Sequence, residues 1–323
     1  MNSTVSFIAS VQDDIHAVEM LMRTQADDRH SDLSAALDLL LSAGGKRIRP
    51  ALTMLAGRML GADHQRLVYL AAAIEMLHTA TLVHDDLIDG SLLRRGMPTL
   101  NARWSPGATV LTGDFLFSRA AYMAAQTDSV AVMKLFSQTL GIIVDGEINQ
   151  LFDNRCRVDR DAYFRRIYAK TASLFETSAR SAALIAAADE TRVEALRAFG
   201  YHIGMAFQIV DDVLDFTAET ARLGKPVGSD LRQGIITLPA ILFIETHPDH
   251  PAASSLMEGK CLHTASEQED LIESIRTSPA IGASLSEAAR QVDLGLETLA
   301  TLPATPDRCA LEDLARYIVH RDL

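Results

Sequence analysis

Apolar residues recur at spacings of three and four along most of this chain, and strict alternation is absent, so the pattern predicts helices and no sheet. The stretch between Pro106 and Pro226 contains no proline and is rich in Ala, Leu, Ile and Glu, which reads as consecutive long helices. Predicted helices cover Val5 to Leu21, His30 to Leu41, Arg49 to Leu60, Gln65 to Ile88, Gly107 to Ala125, Ser129 to Phe152, Arg160 to Ala188 and Thr191 to Thr220. Thr237 is placed as the cap of a further helix with Pro239 in its first turn, and shorter helices fill Ser266 to Thr277, Ile281 to Leu299 and Arg308 to His320. The connector Thr246 to Ala252 reads as a loop rather than a boundary, and no repeat of solenoid length is present. The expectation is one all-α domain over residues 1–323, its motifs within about 40–240 and its C-terminal helices, 250–323, part of the same body.

Two segments break the apolar ground with the same acidic pattern, Asp85-Asp86-Leu87-Ile88-Asp89 and Asp211-Asp212-Val213-Leu214-Asp215. Residues four apart share a helix face, so Asp85 with Asp89, and Asp211 with Asp215, each make a carboxylate pair directed one way. Like charges this close raise each other's pKa, and the apolar flanks Ala80-Thr81-Leu82-Val83 and Phe207-Gln208-Ile209-Val210 add desolvation, so a cation is called for. A few hard oxygen ligands, with positions left for phosphate oxygens, suit Mg²⁺ better than an all-protein Ca²⁺ cage. The ordinary explanation of an acidic run is a solvated helix face, but such a face is not embedded in apolar sequence twice.

Composition narrows the partners. Of 323 residues, 48% are hydrophobic and only 6% aromatic, which favours a helical core, and the net charge of -12 argues against nucleic acid and against docking on anionic lipid. Cys156, Cys261 and Cys309 are odd in number and widely spaced, so they are expected as reduced thiols of a cytoplasmic protein. The segment Met1 to Asp14 has no secretory pattern, and the longest apolar stretch, Leu67 to Val83, is interrupted by Glu75 and His78, so no transmembrane segment is expected.

An acidic protein that handles phosphates needs its cations gathered locally. Gly90-Ser91-Leu92-Leu93-Arg94-Arg95-Gly96 presents two arginines after the first acidic motif, and guanidinium forks match phosphate oxygens. Gly44-Gly45-Lys46-Arg47-Ile48-Arg49-Pro50 puts three cations at an expected helix start, a natural anion site. Alone, each cluster is what helix ends commonly carry; beside two metal-type motifs they read as diphosphate sites. His78, seven residues before Asp85, shares its face. Thr171, beside Lys170, can bond its own preceding turn and bend the helix, exposing carbonyl oxygens. Gln208 offers a neutral amide dipole on the second acidic face, and Lys225 stands in a loop, Gly224 to Asp230, able to close.

Together these segments resemble the trans-type isoprenyl diphosphate synthases of the polyprenyl synthetase family, most like its long-chain members, from about Gly44 to the C-terminus. Gly-Gly-Lys-Arg-Ile-Arg-Pro, His-Asp-Asp-Leu-Ile-Asp with Arg-Arg-Gly, Gly113-Asp114-Phe115-Leu116, Gly146-Glu147, Lys170-Thr171, Gln-Ile-Val-Asp-Asp-Val-Leu-Asp and Gly-Lys-Pro-Val-Gly-Ser-Asp-Leu occur in the family's order. The resemblance implies a helical bundle around a deep central cavity, usually a homodimer, that condenses isopentenyl diphosphate head-to-tail with an allylic diphosphate primer. It implies three Mg²⁺ ions between the allylic diphosphate and Asp85, Asp89 and Asp211, with Asp86, Asp212 and Asp215 in support. Arg94, Lys170 and Lys225 would then stabilise the departing diphosphate, Lys46, Arg49, His78 and Arg95 would hold isopentenyl diphosphate, and Thr171 and Gln208 would face the allylic cation. One departure is Gly234-Ile235-Ile236-Thr237, where the family often has lysine at the second position.

Product length is read from the helix that bears Asp85. Thr81 and Ala80, four and five residues earlier, are the first floor and neither is aromatic; Leu77 is the next barrier. The expectation is a long product, C30 or above, over geranylgeranyl or farnesyl diphosphate. A class I terpene cyclase would share the first motif but lack the Lys46, Arg49 and Arg95 set. A metal-dependent phosphohydrolase using His78, His84 and Asp85 leaves Asp211 to Asp215 unexplained. A non-catalytic subunit of a heteromeric synthase typically loses aspartates that are all present here.

Overall fold

The computed structural model describes residues 6–27, 30–42, 45–94, 96–152, 155–217, 226–262 and 264–320. The chain is all-α. Its helices are α1 Ser6–Ala9, α2 Gln12–Arg23, α3 Ser31–Ser42, α4 Ile48–Met59, α5 His64–Ile88, α6 Pro106–Ala125, α7 Val130–Phe152, α8 Arg160–Ile167, α9 Ser173–Ile185, α10 Glu190–Thr217, α11 Ser229–Arg232, α12 Leu238–Thr246, α13 Pro251–Met257, α14 Ala265–Thr277, α15 Ala280–Leu299 and α16 Pro306–His320. The one strand pair among the described residues, β1 Leu93–Arg94 and β2 Met97–Pro98, is an antiparallel hairpin after the first acidic motif, where the sequence suggested no strand.

Several boundaries depart from the pattern, each for a local reason. The helix expected from Val5 to Leu21 breaks at Ser10, whose hydroxyl donates to the Phe7 carbonyl. Pro251, expected in a loop, instead opens α13, where its fixed φ suits a first helical turn. Thr237 stands at the N-cap position of α12, but its hydroxyl makes no capping bond and is buried without a hydrogen-bond partner. Residues 160–188, expected as one helix, are α8, a π turn over Tyr168–Ala172 and α9.

Two compact units can be distinguished. Unit 1 holds Met1–Thr139, Leu174–Gly200 and Leu296–Leu314, and is organised on α5. This helix, of 25 residues, is long and apolar enough to cross a membrane, yet 72% of its apolar 18-residue stretch is buried, so it is a core helix here. Leu67, Leu70, Ala71, Ala72, Ala73 and Met76 have no exposed surface, and α5 packs on α2, α4 and α6. Truncating a side chain such as Leu70 to Ala would cost about 2–5 kcal/mol, because so dense a site collapses only partly around the cavity. Gly113 on α6 meets the His84 ring: a Cβ there would lie 2.1 Å from Nε2.

Unit 2 holds Leu140–Ser173, Tyr201–Gly295 and Ala315–Leu323. Here the expectation of three reduced thiols is corrected. Cys156 and Cys261 are joined by a disulfide, with Cα atoms 5.1 Å apart across 105 residues of sequence, while Cys309 is free and exposed. Wide spacing hid a spatial neighbour: the Cys156 N-H donates to the Gly234 carbonyl, which docks the loop before α8 on the segment before α12.

Candidate active site

The first acidic motif closes α5, with Asp85 in the last turn and Asp89 just past it, while the second lies within the last two turns of α10, Glu190–Thr217. At α5 the helix dipole is negative at that end, so the carboxylates there add to it rather than answer it. At α5, Asp85 is half-buried, Asp86 buried and Asp89 exposed as the C-cap residue. Asp86 is turned to Arg94 on β1, whose Nε lies 3.0 and 3.1 Å from its two oxygens and whose Nη2 lies 2.9 Å from Oδ1. The guanidinium expected on a leaving diphosphate is thus already engaged, and its position is set by the hairpin.

At α10, Asp211 and Asp215 are half-buried and Asp212 is buried. Asp212 is held by neutral groups. The Tyr163 hydroxyl donates to Oδ2 at 2.8 Å, and the Gln208 amide nitrogen donates to Oδ1 at 2.8 Å. Burial, reinforced by the nearby Asp230 charge, pushes Asp212 up to about 8, against the two hydrogen bonds and Arg166. Burial likewise pushes the Tyr163 phenol well up, with Asp212 adding to it. Asp215 is tied to the segment that follows: Gly228 N-H donates to its carbonyl at 2.8 Å and Asp230 N-H to its Oδ2 at 3.2 Å.

Lys170 and Thr171 lie in the π turn. Its origin differs from the expected one, because the Thr171 hydroxyl does not bond its own preceding turn but donates to Gln208 Oε1 at 2.6 Å. The Ala169 carbonyl accepts instead from the Ser173 hydroxyl at 2.9 Å. Thr171, Gln208 and Asp212 therefore form one chain of hydrogen bonds, with the amide oxygen of Gln208 occupied. Lys170 donates to Glu147 Oε1 on α7 at 2.8 Å. Next to Glu147, Gly146 lets α7 come close to the π turn, since a Cβ at 146 would lie 2.6 Å from that of Ala169.

Ahead of α4 the three cations part ways. Lys46 is exposed, and Arg49 is buried with its guanidinium 4.5 Å from the Phe175 ring centroid. Arg47, read as part of an anion site, is structural: Nε donates to Glu19 at 2.7 Å, Nη1 to Glu75 at 2.8 Å and Nη2 to the Leu41 carbonyl at 2.8 Å. Burial works against its charge, but Glu75 and Glu19 outweigh it and hold its pKa above the ordinary value. These contacts also sustain the left-handed backbone of Arg47, at φ 45°. His78 is half-buried on the Asp85 face. Arg95 and Lys225 lie outside the described residues.

The chain-length positions differ in exposure. Ala80 and Leu77 have no exposed surface and are packed inside unit 1, whereas Thr81 is half-buried with its hydroxyl donating to the His78 carbonyl at 2.8 Å. At about 100° per residue, Ala80 stands about 140° round the helix from Asp85, while Thr81 stands within about 40°. Thr81 lies on the acidic face, Leu77, eight residues from Asp85, stands about 80° round, and Ala80 is the furthest from it.

Among the described residues no three His, Cys, Asp or Glu side chains gather to hold an ion by themselves. The donor set fits a hard divalent cation that takes two or so carboxylates and completes its shell with phosphate oxygens and water.

A sequence model of one family, polyprenyl synthetase, matches residues 30–276. A prenyl transferase from Synechocystis sp. is 39% identical over 99% of both chains, and heptaprenyl diphosphate synthase component 2 from Geobacillus stearothermophilus is 39% identical over 97% of both. The chain belongs to the polyprenyl synthetase family. Like other polyprenyl synthetases it is a prenyltransferase. Among solved structures, a polyprenyl synthase from Caulobacter crescentus, complexed with calcium and isoprenyl diphosphate, superposes with a TM-score of 0.92 at 36% identity, covering 99% of this chain and 98% of that one. Two further family motifs have partners: Glu147 pairs with Lys170, and Gly113 seats His84. Tyr163 was missed entirely, since nothing in its local sequence marks the link to Asp212.

Proposed function

We propose that this polyprenyl synthetase condenses isopentenyl diphosphate head-to-tail with an allylic diphosphate primer and extends it to a long all-trans product, C30 or above. The observation that carries the reading is a close-set carboxylate triad on each of two helices, which calls for cations that a diphosphate can share. Mg²⁺, as three ions held by Asp85, Asp89 and Asp211 and by the allylic diphosphate, would neutralise the leaving group as its bond to carbon breaks. Asp86 and Asp212 position these ligands from behind, the first through Arg94 and the second through Tyr163 and Gln208; Asp215 braces the closing segment. Lys170 and Lys225 add charge toward the leaving diphosphate. Lys46, Arg49, His78 and Arg95 hold isopentenyl diphosphate, whose proton is lost to the released diphosphate. Thr171, whose hydroxyl proton is given to Gln208, turns its own oxygen toward the allylic cation with Gln208 behind it.

A long product is supported by the non-aromatic Thr81 on the acidic face and by the heptaprenyl name of one relative. The two units are proposed to act as one catalytic domain, since the matched residues 30–276 draw on both. A homodimer is supported by an exposed apolar stripe on α7, Val144, Ile148, Leu151 and Phe152, the last 85% exposed. The word component in that relative's name favours a second reading, in which the stripe meets a different subunit. A cytoplasmic setting is a proposal that the Cys156–Cys261 disulfide weighs against. The test is to incubate the purified chain alone with isopentenyl diphosphate, farnesyl diphosphate and Mg²⁺, then chromatograph the dephosphorylated products. Metal-dependent products of C30 or above are expected. A sharp C20 product refutes the long-chain reading, and activity only on adding a second subunit refutes the homodimer.

A further inference from the structure

Unit 2 contains a pocket of about 540 Å³ that the proposed reaction leaves without a role. Four arginines line it, Arg155 and Arg157 from the loop before α8 and Arg165 and Arg166 from α8 itself. Only Asp145 and Asp159 oppose them, so the charged lining is +4 and −2, a net +2, in a chain of net charge -12. An acidic protein that gathers four arginines around one pocket against two carboxylates has left room for an anion.

The donors are available. Asp159 is committed, one oxygen accepting the Ala162 N-H as the cap of α8 and the other 3.1 Å from Arg157; the cap bond first, then the Arg157 and Arg165 charges, hold it below the usual carboxylate range. Arg166 is half-buried, spends one nitrogen on the Ile236 carbonyl at 2.6 Å and lies 5.5 Å from the Tyr163 ring centroid, leaving its remaining N-H groups. Arg155 makes one long contact, 3.5 Å, to the Gln233 carbonyl. The loop that carries Arg155 and Arg157 does not swing freely, because Cys156 between them is fixed by its disulfide and by its N-H bond to Gly234. A cation set held in place in this way loses little order on binding.

We propose that this pocket is a metal-independent site for a compact polyphosphate anion, either free inorganic diphosphate or the head group of a diphosphate ester. The volume exceeds that of a single phosphate many times over. Guanidinium forks from two sides match two linked phosphates, and Ile235, where the resemblance often places lysine, closes the pocket with an apolar wall rather than a further cation. None of the residues assigned to the proposed reaction lines this pocket, so it and that reaction stand or fall separately.

The test is isothermal titration of the full chain in EDTA with inorganic diphosphate, with isopentenyl diphosphate as the ester arm and inorganic phosphate as the size control. Arg157 and Arg165 are exposed, so Arg157→Ala/Arg165→Ala should fold normally. Wild type is expected to bind diphosphate in a salt-sensitive manner, the double variant at least about tenfold more weakly, and Lys46→Ala to keep the component that the double variant loses. Loss of the inorganic arm alone assigns the free anion, and loss of both arms assigns the head group. Identical isotherms for wild type and the double variant, or no metal-free binding in wild type, overturn the proposal. A prenyl-transfer assay of the same proteins reports on the family reaction independently.

Discussion

The two acidic helix ends share a sequence pattern and differ in what stands behind it. At α5 the middle carboxylate, Asp86, is answered by a cation, Arg94, delivered by a hairpin. At α10 the corresponding Asp212 is buried against neutral donors, Tyr163 and Gln208, and its proton affinity rises accordingly. One end is compensated by charge and the other by hydrogen bonds in a low-dielectric site. A repeated motif therefore fixes the direction of the outer carboxylates without fixing how the protein tolerates them.

The largest effect expected is the one in which the two ends behave alike. Asp85→Ala and Asp211→Ala should each lower turnover roughly a thousandfold, the effect of losing about 4 kcal/mol of leaving-group stabilisation. Incorporation of labelled isopentenyl diphosphate measures it, and a near-normal rate in one folded variant would show that only the other end binds metal. The contrast should appear in stability. Tyr163→Phe leaves a buried carboxyl one donor short and should cost about 1–3 kcal/mol in urea unfolding. Arg94→Lys keeps the charge at a guanidinium that is 34% exposed, so it should cost less than about 1 kcal/mol while weakening the apparent affinity for primer. Equal losses would erase the distinction drawn here. The smallest effect on rate belongs to the α5 face: Thr81→Tyr should shorten the product with primer consumption retained, whereas Ala80→Tyr should overpack unit 1 by about 1–3 kcal/mol. Chromatography of products alongside thermal unfolding separates the two, and selective shortening by Ala80→Tyr would restore it to the tunnel.

Helix periodicity made most of the fold legible, because amphipathic stripes and proline positions are local properties. The acidic motifs were legible for the same reason. Partners distant in sequence were not: Arg47 reads as a phosphate ligand until Glu19 and Glu75 are seen beside it, and Tyr163 reads as ordinary core until Asp212 is. The π turn has no compositional marker beyond Lys170-Thr171, and the reason offered for a bend there, a hydroxyl turned on its own helix, was the wrong bond. The position of Ala80 was legible in principle, since the angle between residues five apart follows from helix geometry alone.

The disulfide has a topological consequence. From Cys156 to Cys261 the chain closes on itself, and the ring so formed contains Tyr163, Lys170, Thr171, Gln208, the whole second acidic motif and Asp230, with Glu147 outside it. Closing a loop of this length restricts the unfolded chain by roughly 4–5 kcal/mol in the entropic account. That restraint exists only while the sulfurs stay oxidised, so the stability of the fold that carries the second acidic motif is coupled to the thiol chemistry of its surroundings.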